Sequence, residues 1–162
     1  GLTGAVVQMV AHGLTAATLF LVVGLLYQRT HSRDLADYGC LLGRAPRFAF
    51  FIAFALLAAI GLPGSAGFIA ELHALVGGFA RWGGWVLFIG IAMLIGAAYS
   101  LRVIGRLCLR GLPPAEIQDM TKSETAAAAI LAFAIVGVGV WPAPLLGLVA
   151  GSVDRVGRLF GG

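Results

Sequence analysis

The sequence predicts an all-α fold: a polytopic transmembrane helix bundle of four spans, the second a discontinuous, broken helix. Two observations carry that prediction. Of 162 residues, 60% are hydrophobic and 11% charged, with a mean hydropathy of +0.98, whereas soluble globular domains carry about a quarter charged residues. Apolar runs also recur along the chain, near the ~20 residues that a spanning helix needs, with short polar connections between them.

Span one runs from about Gly4 to Tyr27. Within it Gln8, His12 and Thr15 follow i, i+4, i+7 spacing and share one face. His12 sits near the middle of the span. A neutral imidazole donates from one ring nitrogen and accepts at the other, so it can pass a proton. The same stripe can instead hydrogen-bond a neighbouring helix, since polar side chains also hold membrane helices together. Gly13 and Ala17 form a small-xxx-small pair that would admit a close neighbour.

Span two covers Phe48 to Phe79 and is too long for one straight helix. Gly61-Leu62-Pro63-Gly64-Ser65-Ala66-Gly67 interrupts it. Pro63 removes a backbone donor, and Gly61, Gly64 and Gly67 loosen the turn around it. The expected halves are 48–60 and about 68–79. Freed backbone groups at such a break can hold water inside a protein bundle. Just past the break stands Glu71, an acid in an otherwise apolar run. A charged side chain at mid-membrane depth costs roughly 2.5–3.5 kcal/mol on insertion scales, so its presence implies an ion or proton pathway. The alternative is a buried carboxylate held by a fixed partner. His73, two residues on, points to a roughly opposite face and reads as an interfacial or packing residue.

Span three runs from about Gly84 to Leu107, and span four from about Thr125 to Trp141, where Pro142 and Pro144 stop it. Residues 1–141 therefore form the helical membrane domain, and 142–162 a tail. In that tail Leu145, Leu148, Val149, Val153, Val156 and Phe160 fall near helical spacing, with Asp154, Arg155 and Arg158 off the stripe. An amphipathic helix on the membrane surface fits this pattern, as does a helix packed against the rest of a longer protein. A longer protein is expected, because the chain starts at Gly1 and enters a membrane segment with no charged leader.

Basic residues orient the chain. Loop one holds Arg29, Arg33, Arg44 and Arg47; loop three, with its Pro113-Pro114, holds Arg102, Arg106, Arg110 and Lys122. Arg81, Arg155 and Arg158 lie on the other side. The positive-inside rule places loops one and three in the cytoplasm and both chain ends outside. Arg102, Arg106 and Arg110 are four apart, share a helix face and are expected to snorkel to lipid phosphates. The net charge of +4 does not point to nucleic acid, since no aromatic-basic surface module accompanies it. Cys40 and Cys108 show no metal or redox spacing.

Three strings carry a resemblance: Met9-Val10-Ala11-His12-Gly13-Leu14, Leu26-Tyr27-Gln28-Arg29-Thr30-His31-Ser32-Arg33-Asp34, and Gly61-Leu62-Pro63-Gly64-Ser65-Ala66-Gly67-Phe68-Ile69-Ala70-Glu71-Leu72. In this order they resemble the antiporter-like subunits of respiratory complex I, in particular the subunit M branch of bacterial NADH:quinone oxidoreductase, chain 4 in mitochondria. The resemblance covers the chain up to its tail and implies the last four spans of a proton-translocating subunit. It implies that His12 is the family's central-chain histidine and that Glu71 is the ionisable residue leading the proton outward. It also implies the bacterial inner (cytoplasmic) membrane, with neighbouring complex I membrane subunits, lipids and protons as partners. The family's other key residues, a glutamate and two lysines, lie on earlier helices, so this chain holds only part of a path. Cys40 stands where the family more usually has Gly, a change expected to affect local packing alone. No dinucleotide-binding turn and no iron–sulfur cysteine set is visible. NAD, FMN, iron–sulfur clusters and quinone are therefore expected in other subunits, with no cofactor or metal in this chain.

Overall fold

The computed structural model describes residues 2–111 and 117–159. Pro113-Pro114, in loop three, and Phe160, at the end of the expected tail stripe, lie outside the described residues. Among the described residues every regular element is a helix, with no strand. Its helices are α1 (Leu2–Thr30), α2 (Leu41–Arg44), α3 (Pro46–Ala59), α4 (Ala66–Trp82), α5 (Leu87–Ile104), α6 (Lys122–Val140) and α7 (Ala143–Leu159). The chain is a multi-pass membrane helix bundle. Leu2–Thr30, Lys122–Val140 and the helical stretch Ala66–Leu109 are long and apolar enough to cross a membrane, and Pro46–Ala59 is a shorter apolar helix.

The bundle is organised around α1, whose 29 residues span about 43 Å at 1.5 Å per residue. Its C-terminal half packs against α3, where Val22 and Leu26 share a core with Phe48 and Ile52. Its N-terminal half packs against α4, where Val7 and Ala11 share a second core with Ala66 and Ala70. Helices α3 and α4 thus run end to end as one broken span, antiparallel to α1. Contact is closest at Gly4, where an added Cβ would meet the Ala74 amide nitrogen at 2.6 Å. Gly13, the residue expected to admit a neighbour, has nothing within 4 Å of where its Cβ would be. It and Ala17 face outward from this chain.

After α4, Gly83 adopts a positive φ of 58° and the chain reverses into α5. Helix α5 runs back to the loop end, where the Cys108 thiol reaches the Ala49 carbonyl at 3.6 Å. Helix α6 crosses again from that end. It starts three residues earlier than expected because Thr121 and Glu124 form a reciprocal capping box that satisfies its first amides. Helix α7 starts just after Pro142 with Pro144 in its first turn, and Leu145 and Leu146 rest on the second core. Of the expected stripe, Val149 and Val153 are half-buried, but Leu148 is 80% exposed and Val156 39%.

A polar layer closes the loop end. Asp119 accepts hydrogen bonds from the backbone amides of Arg47 and Phe48, at 3.2 and 3.3 Å, and so caps α3 from a distant loop. Arg29 pairs with Glu124 at 2.7 Å. His31, at φ 53°, ends α1 by donating its amide to the Tyr27 carbonyl at 2.7 Å. Cys40, at φ 49° and ψ 36°, sits in the left-handed region that glycine favours, and its amide donates to the Arg110 carbonyl at 2.9 Å.

Candidate functional site

The interruption between α3 and α4 is built by the local sequence. The Leu62 amide donates to the Leu57 carbonyl at 3.1 Å and the Gly61 amide to the Ala58 carbonyl at 3.2 Å. With Gly61 at φ 71°, this pair of bonds is a Schellman termination of α3. Pro63, two residues after Gly61, keeps the helix from resuming. Gly64 also takes a positive φ, of 92°. Helix α4 restarts at Ala66, so Gly67 lies inside its first turn and not in the break. Gly67 serves proximity: a Cβ there would meet the Ala58 carbonyl oxygen at 2.8 Å. Ser65 precedes α4 without capping it, and its hydroxyl oxygen is buried with no hydrogen-bond partner among the described residues.

Glu71 is the sixth residue of α4, one turn beyond Gly67 on the same face. Helical side chains lean toward their helix N-terminus, and this one leans back over the break. A Cβ built on Gly61 would meet the Glu71 carboxyl carbon at 2.9 Å and clash with one of its oxygens. The carboxyl therefore lies against bare backbone and is half-buried. Among the described residues the one ion pair is Arg29–Glu124, and no hydrogen-bond partner for Glu71 is found.

On the other flank of Gly67 is a cavity of about 40 Å³, lined by Gln8, Ala11, His12, Thr15, Ala58, Ala59 and Gly67. A water needs about 10–15 Å³ of such space together with polar partners. The polar partners come from the stripe on α1. Gln8 Oε1 is buried with no partner among the described residues. The Thr15 hydroxyl is buried and donates to the Ala11 carbonyl at 2.9 Å, which leaves it free to accept. His12 lines the cavity, but much of its ring faces outward from this chain. His12 and Glu71 thus flank one break without sharing one cavity. His73 instead bonds its own helix, with Nδ1 donating to the Ile69 carbonyl at 2.8 Å.

The sequence reading missed two residues. Ser65 stands just before an apolar helix, where a hydroxyl is ordinarily a cap signal, but it makes no cap bond and its oxygen is left buried. Gly139 brings α6 onto the break: a Cβ there would stand 2.6 Å from the Gly64 carbonyl carbon. The Gly137-x-Gly139 pair in an apolar helix was the available signal.

A carboxyl with no partner among the described residues, over a broken membrane helix and beside a small polar cavity, is the kind of intramembrane ionisable position that marks a functional site in a multi-pass membrane protein. Residues 1–96 match the family model described as NADH:quinone oxidoreductase/Mrp antiporter, TM, and the chain belongs to that family. It is 38% identical to NADH-quinone oxidoreductase subunit M of Rhodobacter capsulatus, over 96% of this chain and 31% of the relative. Subunit M of Pseudomonas aeruginosa is 35% identical, over 99% of this chain and 32% of the relative. NADH-ubiquinone oxidoreductase chain 4 of Marchantia polymorpha is 32% identical, over 96% and 32%. The chain thus spans about a third of the length of these relatives.

Proposed function

We propose that this chain carries part of the proton path in a subunit M of bacterial NADH:quinone oxidoreductase, moving protons across the inner membrane while other subunits pass electrons from NADH to quinone. The observation that carries this reading is Glu71. Its carboxyl lies on the broken backbone at Gly61 and has no fixed partner among the described residues. A carboxyl locked into a structural pair would resist gaining and losing a proton, whereas this one is free to do both. His12 is the matching group on α1. Gln8 and Thr15 line the cavity beside it, where a water could bridge from the imidazole toward the break. NAD, FMN, iron–sulfur clusters and quinone are assigned to partner subunits, and the path is completed by helices outside this chain.

Glu71→Gln keeps shape and hydrogen bonding but cannot release a proton, and Glu71→Asp keeps the acid with a shorter reach. In the full-length parent, Gln should lose most proton pumping and coupled quinone reductase activity, Asp should keep part, and both should assemble. Wild-type pumping by an assembled Gln variant would leave Glu71 structural and favour a scaffold that moves no ion. The C-terminus is assigned to the periplasmic side from the arginine bias. Cysteine labels at Ser32 and Gly151 should therefore react from opposite sides, and labelling of both from the same side would overturn the topology.

A second reading, cation/proton antiport, is favoured by the family description, which joins oxidoreductase and Mrp antiporter subunits. Sodium-dependent transport without NADH, or a gene neighbourhood lacking the redox subunits, would select it.

A further inference from the structure

The arginines of the loop end differ in what they touch, and Arg44 belongs to neither set that follows. Arg29 pairs with Glu124 and lies 5.1 Å from the Phe48 ring centroid. Arg33 stacks over Tyr27 at 4.8 Å, and Arg47 donates to the Met120 carbonyl at 2.6 Å. Arg102, Arg106 and Arg110 have no such ion pair or ring contact among the described residues. Instead these three line one cavity of about 340 Å³, together with Leu101 and Gly105.

The local backbone makes this cavity. Helix α5 passes into a single π-helical turn over Gly105–Leu109, closed by the Arg110 amide donating to the Gly105 carbonyl at 3.0 Å. Arg110 then leaves the helix with extended backbone, at φ −117° and ψ 160°, so it is not on the continuous helix face that its spacing suggested. The wall at Gly105 is open, because a Cβ there would have nothing within 4 Å. The Cys40–Arg110 backbone bond ties the position to loop one.

We propose that Arg102, Arg106 and Arg110 form a binding site for a phosphate ester, presented as the headgroup of an anionic membrane phospholipid. Guanidinium groups bind phosphate oxygens through paired N–H donors, and three around one cavity match a charge that none of them neutralises within the described chain. The lipid source is favoured by what adjoins the arginines. Ile95 and Tyr99, each 65% exposed, continue the row of Arg102 and Arg106 away from the charges. An acyl chain fits against that row, and a soluble phosphate has no use for it. This assignment rests on the membrane fold and stands apart from the proton path.

The test uses the full-length parent in its purified membrane complex, delipidated in detergent and offered phosphatidylcholine bicelles containing phosphatidylglycerol. Wild type should retain phosphatidylglycerol over phosphatidylcholine. Each arginine near an anionic surface contributes roughly fivefold in affinity, so R102Q/R106Q/R110Q should bind phosphatidylglycerol about a hundredfold more weakly. The triple lysine variant should fall between, since it keeps charge without the fork. R44Q, on the same surface but outside the cavity, should weaken binding less than R106Q does, because it keeps all three guanidiniums around the headgroup. If the triple variant fails to assemble on native gels, R106Q alone should still show its roughly fivefold loss. Unchanged retention in these variants would overturn the site. Displacement of the lipid by inorganic phosphate at equal affinity would overturn the lipid source in favour of a soluble anion.

Discussion

The two ends of α1 face different kinds of interior. The loop-side core is filled with large side chains, among them Phe48, Phe51, Ile52, Leu41 and Met120, and its polar rim is satisfied by Asp119, Glu124 and Arg29. The core around the break is mostly small: Ala11, Ala58, Ala66 and Ala70, with Val7 and Ile135. There backbones approach closely at Gly4, Gly67 and Gly139, and the oxygens of Gln8 and Ser65 lack partners among the described residues. Close packing and paired polar groups hold one arrangement, whereas polar atoms without protein partners beside a cavity leave its hydration free to vary. One half thus fixes the bundle and the other is left adjustable. That division makes separable claims about stability and transport.

Gly61→Ala should have the largest effect on transport. It forces a Cβ into a positive-φ position and into the Glu71 carboxyl. Most pumping should be lost, as in Glu71→Gln, and because Gly61 also terminates α3 the variant should lose about 1–2 kcal/mol of stability. Pumping at the wild-type rate in assembled complex would show that the carboxyl does not need its place on the break.

Phe48→Ala should do the reverse. Removing a fully buried ring from the loop-side core should cost about 3–5 kcal/mol and lower the thermal midpoint and yield of the complex. Pumping per assembled complex should stay near wild type. A variant that assembles normally but pumps poorly would erase the division between the halves.

His12→Ala sharpens the comparison from the cavity side. The glue reading of this histidine needs a partner, and no hydrogen bond from its ring is found among the described residues, much of the ring being exposed. Assembly on native gels should be retained while pumping falls, and a polar substitute should recover part of it. Loss of the complex would return His12 to a packing role.

Much of this difference was legible in the sequence, and for physical reasons. Pro63 and Gly61 cannot continue an ordinary helix, so the break follows from covalent chemistry, and Glu71 announces itself by its cost in an apolar run. The eight basic residues of loops one and three gather at one end, as their spacing between spans required. What could not be read were contacts between distant segments. Asp119 caps α3 from 71 residues away in sequence, and nothing local to it says so. Gly4 and Gly139 carry the close approaches while Gly13 and Ala17 do not, because small residues are common in apolar helices and only the fold selects among them. The boundaries at Gly67 and Thr121 moved for similar reasons, one through contact with Ala58 and the other through a cap with Glu124.

The smallest predicted effect lies in the rigid half and tests how rigid it is. Cys40 occupies the left-handed region at φ 49°, where a non-glycine residue costs about 1–2 kcal/mol. Glycine would remove that cost but would also give the unfolded chain more freedom, an offset of about 0.4–1 kcal/mol. Cys40→Gly should therefore stabilise by about 0.5 kcal/mol and raise the thermal midpoint slightly. A β-branched residue should do worse than cysteine at the same place, so Cys40→Val should destabilise by about 1 kcal/mol. Neither should alter pumping, because the Cys40 amide holds Arg110 at the loop end, away from the break. If Cys40→Gly instead lowers the midpoint, the local backbone has relaxed away from the left-handed geometry, and the loop end is softer than its filled core implies.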